Sequence, residues 1–257
     1  MKILVCIKQV PDMESRFKIN GAGNWYDTAA LAWRMNEYDE YAVEQAVQLK
    51  EQVGTGELVV FSIGPERVKE AMKKALAMGA DRGVHVPDEQ SHERDPFEIA
   101  AIIAAYARNE NFDIIFTGMQ SQDRGSAQVG VLVAEMLGIP SVSTIVAFER
   151  DNGGVKVKRE LEGGLKAVVK TDLPALFTCQ LGLNTPRYPT LPNIMKAKKK
   201  EIATRAAGDL YQGDALAVTE KMSFPEKRTG GLVLEGEPAD LAGRLIGILK
   251  EKTTVFK

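Results

Sequence analysis

Over the first 140 residues, short continuous apolar runs alternate with longer stretches in which apolar residues recur every three or four positions. The run Lys2-Ile3-Leu4-Val5-Cys6-Ile7-Lys8-Gln9-Val10 reads as a strand buried on both faces of a parallel sheet, ended by Pro11-Asp12. Residues 57–63, 82–86 and 113–118 predict three further strands. Helical spacing over residues 36–50, 66–78, 96–107 and 127–137 predicts the helices between and after them. Gly54, Gly79 and Gly138 stand where three of these helices stop. Between Pro11 and Met35 the chain is polar, with turn signals at Asn20-Gly21 and Gly23-Asn24. Trp25 and Trp33 fall in this stretch and are expected to anchor it. The alternation implies an α/β fold: an open, mostly parallel sheet with helices on both faces.

After residue 140 the pattern changes. Residues 143–148, 154–160 and 165–171 are rich in β-branched side chains, separated by Asn152-Gly153-Gly154 and Glu162-Gly163-Gly164. This predicts an antiparallel meander on one sheet edge. Residues 175–179 return to the core as a further strand. From Thr185 onward strand signals fade; residues 203–232 read as loosely structured and 240–249 as a final helix. The chain is thus expected to divide into an α/β domain over residues 1–184 and an arm over 185–257. An arm this long without a core of its own packs on another surface, for which a second subunit is the economical answer.

The net charge of −2 argues against a general nucleic-acid binder. No apolar run is long enough to span a bilayer, and no signal-peptide pattern is present. Cys6 and Cys179 lie in apolar runs, as buried free thiols of a reducing cytoplasm do. Two cysteines and two histidines, widely scattered, give neither metal-ligand spacing nor a nucleophile with its base. No catalytic residue and no metal site is assigned.

In open parallel sheets, ligands sit beyond the C-terminal strand ends, where helix-start N–H groups favour anions. Four loops meet there: the end of the first strand near Cys6, residues 36–39, 62–65 and 117–130. The last is Gly118-Met119-Gln120-Ser121-Gln122-Asp123-Arg124-Gly125-Ser126-Ala127-Gln128-Val129-Gly130. Small residues, the Ser126 hydroxyl, the Arg124 cation and a following helix make it a phosphate cradle in chemical terms. A tight strand-to-helix turn uses the same residue types. The loop is neither a Walker loop nor Gly-x-Gly-x-x-Gly.

A second informative stretch is Asn184-Thr-Pro-Arg-Tyr-Pro-Thr-Leu-Pro-Asn-Ile-Met-Lys-Ala-Lys-Lys-Lys200. Pro186, Pro189 and Pro192 stiffen it at every third position. A short helix follows Pro192, with Asn193 as its expected cap. Leu191 is held between prolines, so docking it elsewhere loses little entropy and is worth roughly 1.5–3 kcal/mol. Lys196, Lys198, Lys199 and Lys200 would steer an acidic partner. An interdomain linker with a solvated helix end has the same composition.

The order of residues 187–199, Arg-Tyr-Pro-Thr-Leu-Pro-Asn-Ile-Met-Lys-Ala-Lys-Lys, resembles the recognition-loop region of the electron transfer flavoprotein beta subunit. Val157-Lys158-Arg159-Glu160-Leu161-Glu162-Gly163-Gly164 leading to Leu173-Pro174-Ala175 is a second match, and the resemblance covers most of the chain. It implies a Rossmann-like, adenine-nucleotide-binding fold. It also implies a heterodimer whose alpha subunit carries most of the FAD site, while this chain holds AMP structurally and walls the flavin. By matching positions, Cys6, Asn36, Asp39, Ser62, Asp123, Ser126, Gln128, Val129 and Gly130 are the candidate nucleotide contacts. Leu191, with Tyr188, Pro192, Ile194 and Met195, would meet a flavin dehydrogenase of the acyl-CoA dehydrogenase type, and Glu160 would help position the mobile FAD domain. Electrons would pass on to a downstream oxidoreductase acceptor, membrane-bound or free. The chain is then an electron carrier subunit and not an enzyme.

The resemblance leaves variants open. AMP-type loops carry Asn and Thr where this chain has Ala127 and Val129. Electron-bifurcating members hold a second FAD in place of AMP and carry Gly-Asp-Thr where this chain has Arg124-Gly125-Ser126. Residues 95–100 also lack the threonines usual in that type, so the reading favours AMP. Met13 stands where some relatives place a tyrosine near the flavin. An ATP-using adenylating enzyme on a related fold is the rival of a different class. It needs a Ser-Gly-Gly-type loop after the first strand, where this chain has Gln9-Val10-Pro11-Asp12.

Overall fold

A computed structural model describes residues 1–257 except 152, 227–229 and 255–257. The first strand, β1 (Lys2–Cys6), is followed by a short antiparallel pair, β2 (Gln9–Pro11) and β3 (Trp33–Met35). Then come α1 (Glu37–Val53), β4 (Glu57–Gly64), α2 (Val68–Met78), β5 (Arg82–Pro87), α3 (Pro96–Arg108), β6 (Ile114–Gly118) and α4 (Val129–Leu137). The meander is β7 (Ser141–Asp151), β8 (Gly154–Glu160) and β9 (Lys166–Asp172), and β10 (Ala175–Cys179) returns to the centre. The remaining elements are α5 (Leu191–Ala197), β11 (Ile202–Thr204), α6 (Ala207–Leu210) and α7 (Pro238–Lys252).

Nine strands form one sheet in the order β11-β5-β4-β1-β6-β10-β7-β8-β9. Pairing is parallel from β11 to β7 and antiparallel from β7 to β9. The fold is therefore the open-sheet α/β class expected from the alternation. The period of two along β1 sorts its side chains: Ile3 and Val5 pack with residues of α1 and α2, whereas Leu4 and Cys6 pack with residues of α3 and α4. On the first face Phe116, fully buried, meets Phe148 and Phe177 at ring-centroid distances of 5.3 and 5.8 Å.

Three local expectations are corrected. The run from Lys2 to Val10 is not one strand. It leaves the sheet after Cys6, the Lys8 N–H turns to Asp39, and Gln9–Pro11 pairs with β3 instead. Proline, which has no N–H, is tolerated at the end of such a two-stranded ribbon because no third strand needs a donor there. The cap of α5 is Thr190 and not Asn193: the Thr190 side chain accepts from the Asn193 N–H, and Pro192 sits in the first turn, where a missing N–H costs nothing. Part of the stretch expected to be loose, Ile202–Thr204, adds a strand beside β5. After Thr185, Ala197 is buried in the core of the sheet and Ile202 packs against it. The compact unit accordingly runs from Met1 to Met222, past residue 184, and residues 223–257 form a second.

Trp25 does anchor its loop, packed with Tyr26, Leu31 and Met222. Removing the aromatic centre of the sheet tests how far the core depends on it. Phe116→Ala is expected to lower unfolding free energy by about 3–5 kcal/mol, read from the denaturant midpoint at unchanged slope.

Candidate functional site

Strand β1 lies between β4 and β6, and the chain runs outward on the β4 side before returning to β6. Crossovers leave in opposite directions there, so a crevice opens beyond the C-terminal strand ends. A cavity of about 290 Å³ occupies that place. Cys6, Asn36, Asp39, Ser62, Asp123, Ser126, Gln128, Val129 and Gly130 all line it.

Within the cavity wall these residues do different things. Asp39, in the first turn of α1, accepts from the Lys8 N–H at 2.6 Å, the Gly118 N–H at 3.1 Å and Asn36 Nδ2 at 3.0 Å. One carboxylate thus ties the end of β1 to the end of β6. Asn36 also holds the loop after β6, donating through the same Nδ2 to the Gln120 carbonyl at 2.9 Å and accepting from the Gln122 N–H at 3.0 Å. The close approach needs a glycine at 118, where a Cβ would lie 2.2 Å from Asp39 Oδ1. Ser62 donates to the Ile7 carbonyl at 3.0 Å. The buried thiol of Cys6 is pushed far above its ordinary range by desolvation, with Asp39 adding to the effect, so it is a neutral wall and not a nucleophile.

The far side of the cavity is the loop before α4. Gly125 and Ala127 both have positive φ, 61° and 53°, so backbone direction alternates there. No side chain caps α4 at Gln128, and the first N–H groups of a helix lack intrahelical partners. Gly130 lets this helix start press against the sheet: a Cβ would lie 2.7 Å from Thr117 Oγ1 and 2.8 Å from Thr178 Cγ2. The Asp123 carboxylate, nearly inaccessible, receives Lys8 Nζ at 2.7 Å on both oxygens. Arg124 is not a free cation facing the cavity. It donates to the carbonyls of His92 and Arg94 and lies over the Trp25 ring.

The lining also includes residues not anticipated as such, among them Lys8, Gln9, Trp33 and Arg67. Lys8 and Gln9 carried a signal, as polar residues ending an apolar strand. Arg67, just before α2, stacks over Trp33 of β3 at 3.8 Å, a contact that periodicity does not encode. Gln9 donates through Nε2 to the Arg67 carbonyl at 2.9 Å, and its Oε1 is buried with no hydrogen-bond partner among the described residues.

The predicted partner residues lie elsewhere on the first unit. Tyr188, Leu191, Ile194 and Met195 are exposed, Leu191 by 78% and Tyr188 by 92%. Pro192 is exposed beside them. Glu160 is half-buried at the end of β8 and accepts from Gln180 Nε2 at 3.1 Å. Among the described residues, no group of three His, Cys, Asp or Glu side chains is placed to hold a metal ion. No helix among them is long and apolar enough to cross a membrane.

A seven-strand parallel run with a ligand-sized crevice at its reversal point defines an open-sheet α/β protein of the nucleotide-binding kind of architecture. The profile of the family described as "Electron transfer flavoprotein domain" matches residues 24–210. The chain is 37% identical over 261 aligned positions to the electron transfer flavoprotein subunit beta of Bacillus subtilis, covering 100% of both chains. It is 40% identical to that of Bradyrhizobium diazoefficiens over 95% of this chain and 97% of the relative. The subunit beta of Mus musculus is 37% identical over 95% and 96%. The chain belongs to the electron transfer flavoprotein beta-subunit family.

Burial raises the Asp39 carboxyl from an ordinary 3.8 to about 7, against the pull of the N–H donors of Lys8, Asn36 and Gly118. A carboxyl with a raised folded-state value contributes fully below its unfolded value and loses that contribution as pH rises through the folded value. Unfolding free energy is therefore expected to fall between about pH 4 and pH 7, and Asp39→Asn to flatten that part of the profile. Denaturant titrations across this range check it.

Proposed function

We propose that this chain is the beta subunit of a heterodimeric electron transfer flavoprotein, working in the cytoplasm as an electron carrier and not as an enzyme. It would receive electrons from flavin dehydrogenases of the acyl-CoA dehydrogenase type and pass them to a downstream acceptor. FAD, held mostly by an alpha subunit, supplies the redox chemistry when bound.

In this reading the crevice holds AMP as a structural nucleotide. The observation that carries it is the uncapped start of α4 behind a loop with alternating backbone direction, packed close by Gly130. Val129 and Gly130 would offer N–H groups to the phosphate and Ser126 its hydroxyl, with Gln128 beside them. Cys6 and Ser62 wall the opposite side, and Asn36, Asp39 and Asp123 keep the loops in place. The unpaired Gln9 Oε1 suits a ligand that brings an N–H donor. Leu191, flanked by Tyr188, Pro192, Ile194 and Met195, would dock the dehydrogenase. Glu160 would latch the flavin-bearing domain of the alpha subunit through polar contact.

The heterodimer purified after co-expression and then denatured is expected to release one FAD and one AMP. Two FAD and no AMP would mark a bifurcating flavoprotein. ATP without flavin would favour an adenylating enzyme and sink the reading. Leu191→Ala is expected to weaken electron transfer from a dehydrogenase by about ten- to a hundredfold at limiting partner, with FAD and AMP content unchanged. Normal transfer at limiting partner would remove Leu191 from the docking role.

A further inference from the structure

We propose that Arg187 is a positioning residue that sets Leu191 in its docking place before a partner arrives; the proposal rests on the docking role of Leu191 given above. Glu44 and Glu51 are seven residues apart on α1, two turns along one face. Arg187 bridges both. Its Nε and Nη2 donate to Glu44 at 2.9 and 3.1 Å, and its Nη1 and Nη2 donate to Glu51 at 2.6 and 3.0 Å. Its backbone N–H also donates to Glu44 at 3.2 Å. Asn184 Nδ2 adds a bond to the Tyr41 carbonyl at 3.1 Å. The Glu44 side chain is only 3% exposed, so this is a buried carboxylate matched by a fork and not a surface pair.

The other end of the segment is fixed independently. Ala197, the last residue of α5, is buried, and Lys200 Nζ donates to the Leu76 carbonyl at 2.9 Å and to the Ala80 carbonyl. Between these two anchors stand the exposed Leu191 and its apolar neighbours. Pro189, the Thr190 cap and Pro192 transmit the fixed direction from Arg187 into the helix start. Helix α5 is seven residues, or about 10 Å long. A pivot of about 15° around Ala197 would move Leu191 by about 2–3 Å on that length, enough to misplace a side chain that must enter a pocket. Holding it beforehand removes an ordering cost from binding.

Arg187→Ala would strand the buried Glu44 carboxylate, so two milder changes serve. Arg187→Lys keeps the charge but gives up the fork, and the pair Arg187→Gln with Glu44→Gln removes both charges. In the complete heterodimer, both are expected to raise KM for the dehydrogenase about five- to tenfold, with kcat, FAD content and AMP content near the parent values. In a Leu191→Ala background the same changes are expected to leave KM where Leu191→Ala alone puts it. An unchanged KM, or the same fold-increase with and without Leu191, would overturn the positioning role. If Leu191→Ala alone leaves KM unchanged, the docking reading itself fails, whatever Arg187 does.

Discussion

The bonds of one buried carboxylate decide where this fold opens. Asp39 binds the backbone N–H of Lys8, two residues beyond β1, and the last N–H of β6, strands that are already paired side by side. With Asn36, which holds Gln120 and Gln122, it fixes the loop after β6 at the rim of the crevice. Inside a sheet, strand ends converge on hydrogen bonds that close the surface. Here the converging N–H groups meet a side chain from α1, and the helix start becomes part of the floor of the crevice. Three N–H donors offset part of the penalty of burying the charge, and burial outweighs them, which is why the Asp39 carboxyl stands above its ordinary range.

The same economy governs the recognition segment. Its sequence is rich in proline and lysine, which in isolation describes a stiff, soluble strap. What turns the strap into a presented surface is attachment at two points to helices that belong to the sheet's own packing. In the proposed docking role a small, fixed apolar cluster would supply the affinity and Lys196, Lys198 and Lys199 the steering at a distance, while Lys200 is held on the carbonyls of Leu76 and Ala80.

Much of the architecture was readable because the chain states each strand and helix in a different periodicity. Strands β4, β5 and β6 and helices α1 to α4 appear as runs of the right length bounded by Gly or Pro. The loops at the crevice could also be named, since the rule that ligands lie at strand ends needs only strand order. What could not be read was which polar groups pair with each other. Arg124 looked like a phosphate-facing cation, but its guanidinium is taken by carbonyls 30 and 32 residues earlier in the chain. Lys8 ends an apolar run that looked continuous, and only the distant Asp39 and Asp123 explain why the strand stops there. Three residues, Ile202 to Thr204, are too few to show any period, so β11 was invisible until its neighbour β5 was in view.

Strand β11 also orders events in time. Residues 202–204 cover the outer edge of β5, whose own sequence ends more than a hundred residues earlier. During vectorial synthesis that edge, with its free N–H and C=O groups, emerges long before the three residues that cap it. At roughly 5–20 residues per second the interval is several seconds. For that time the nascent chain presents an open β template, which closes only when a stretch near the end of the first unit has left the ribosome.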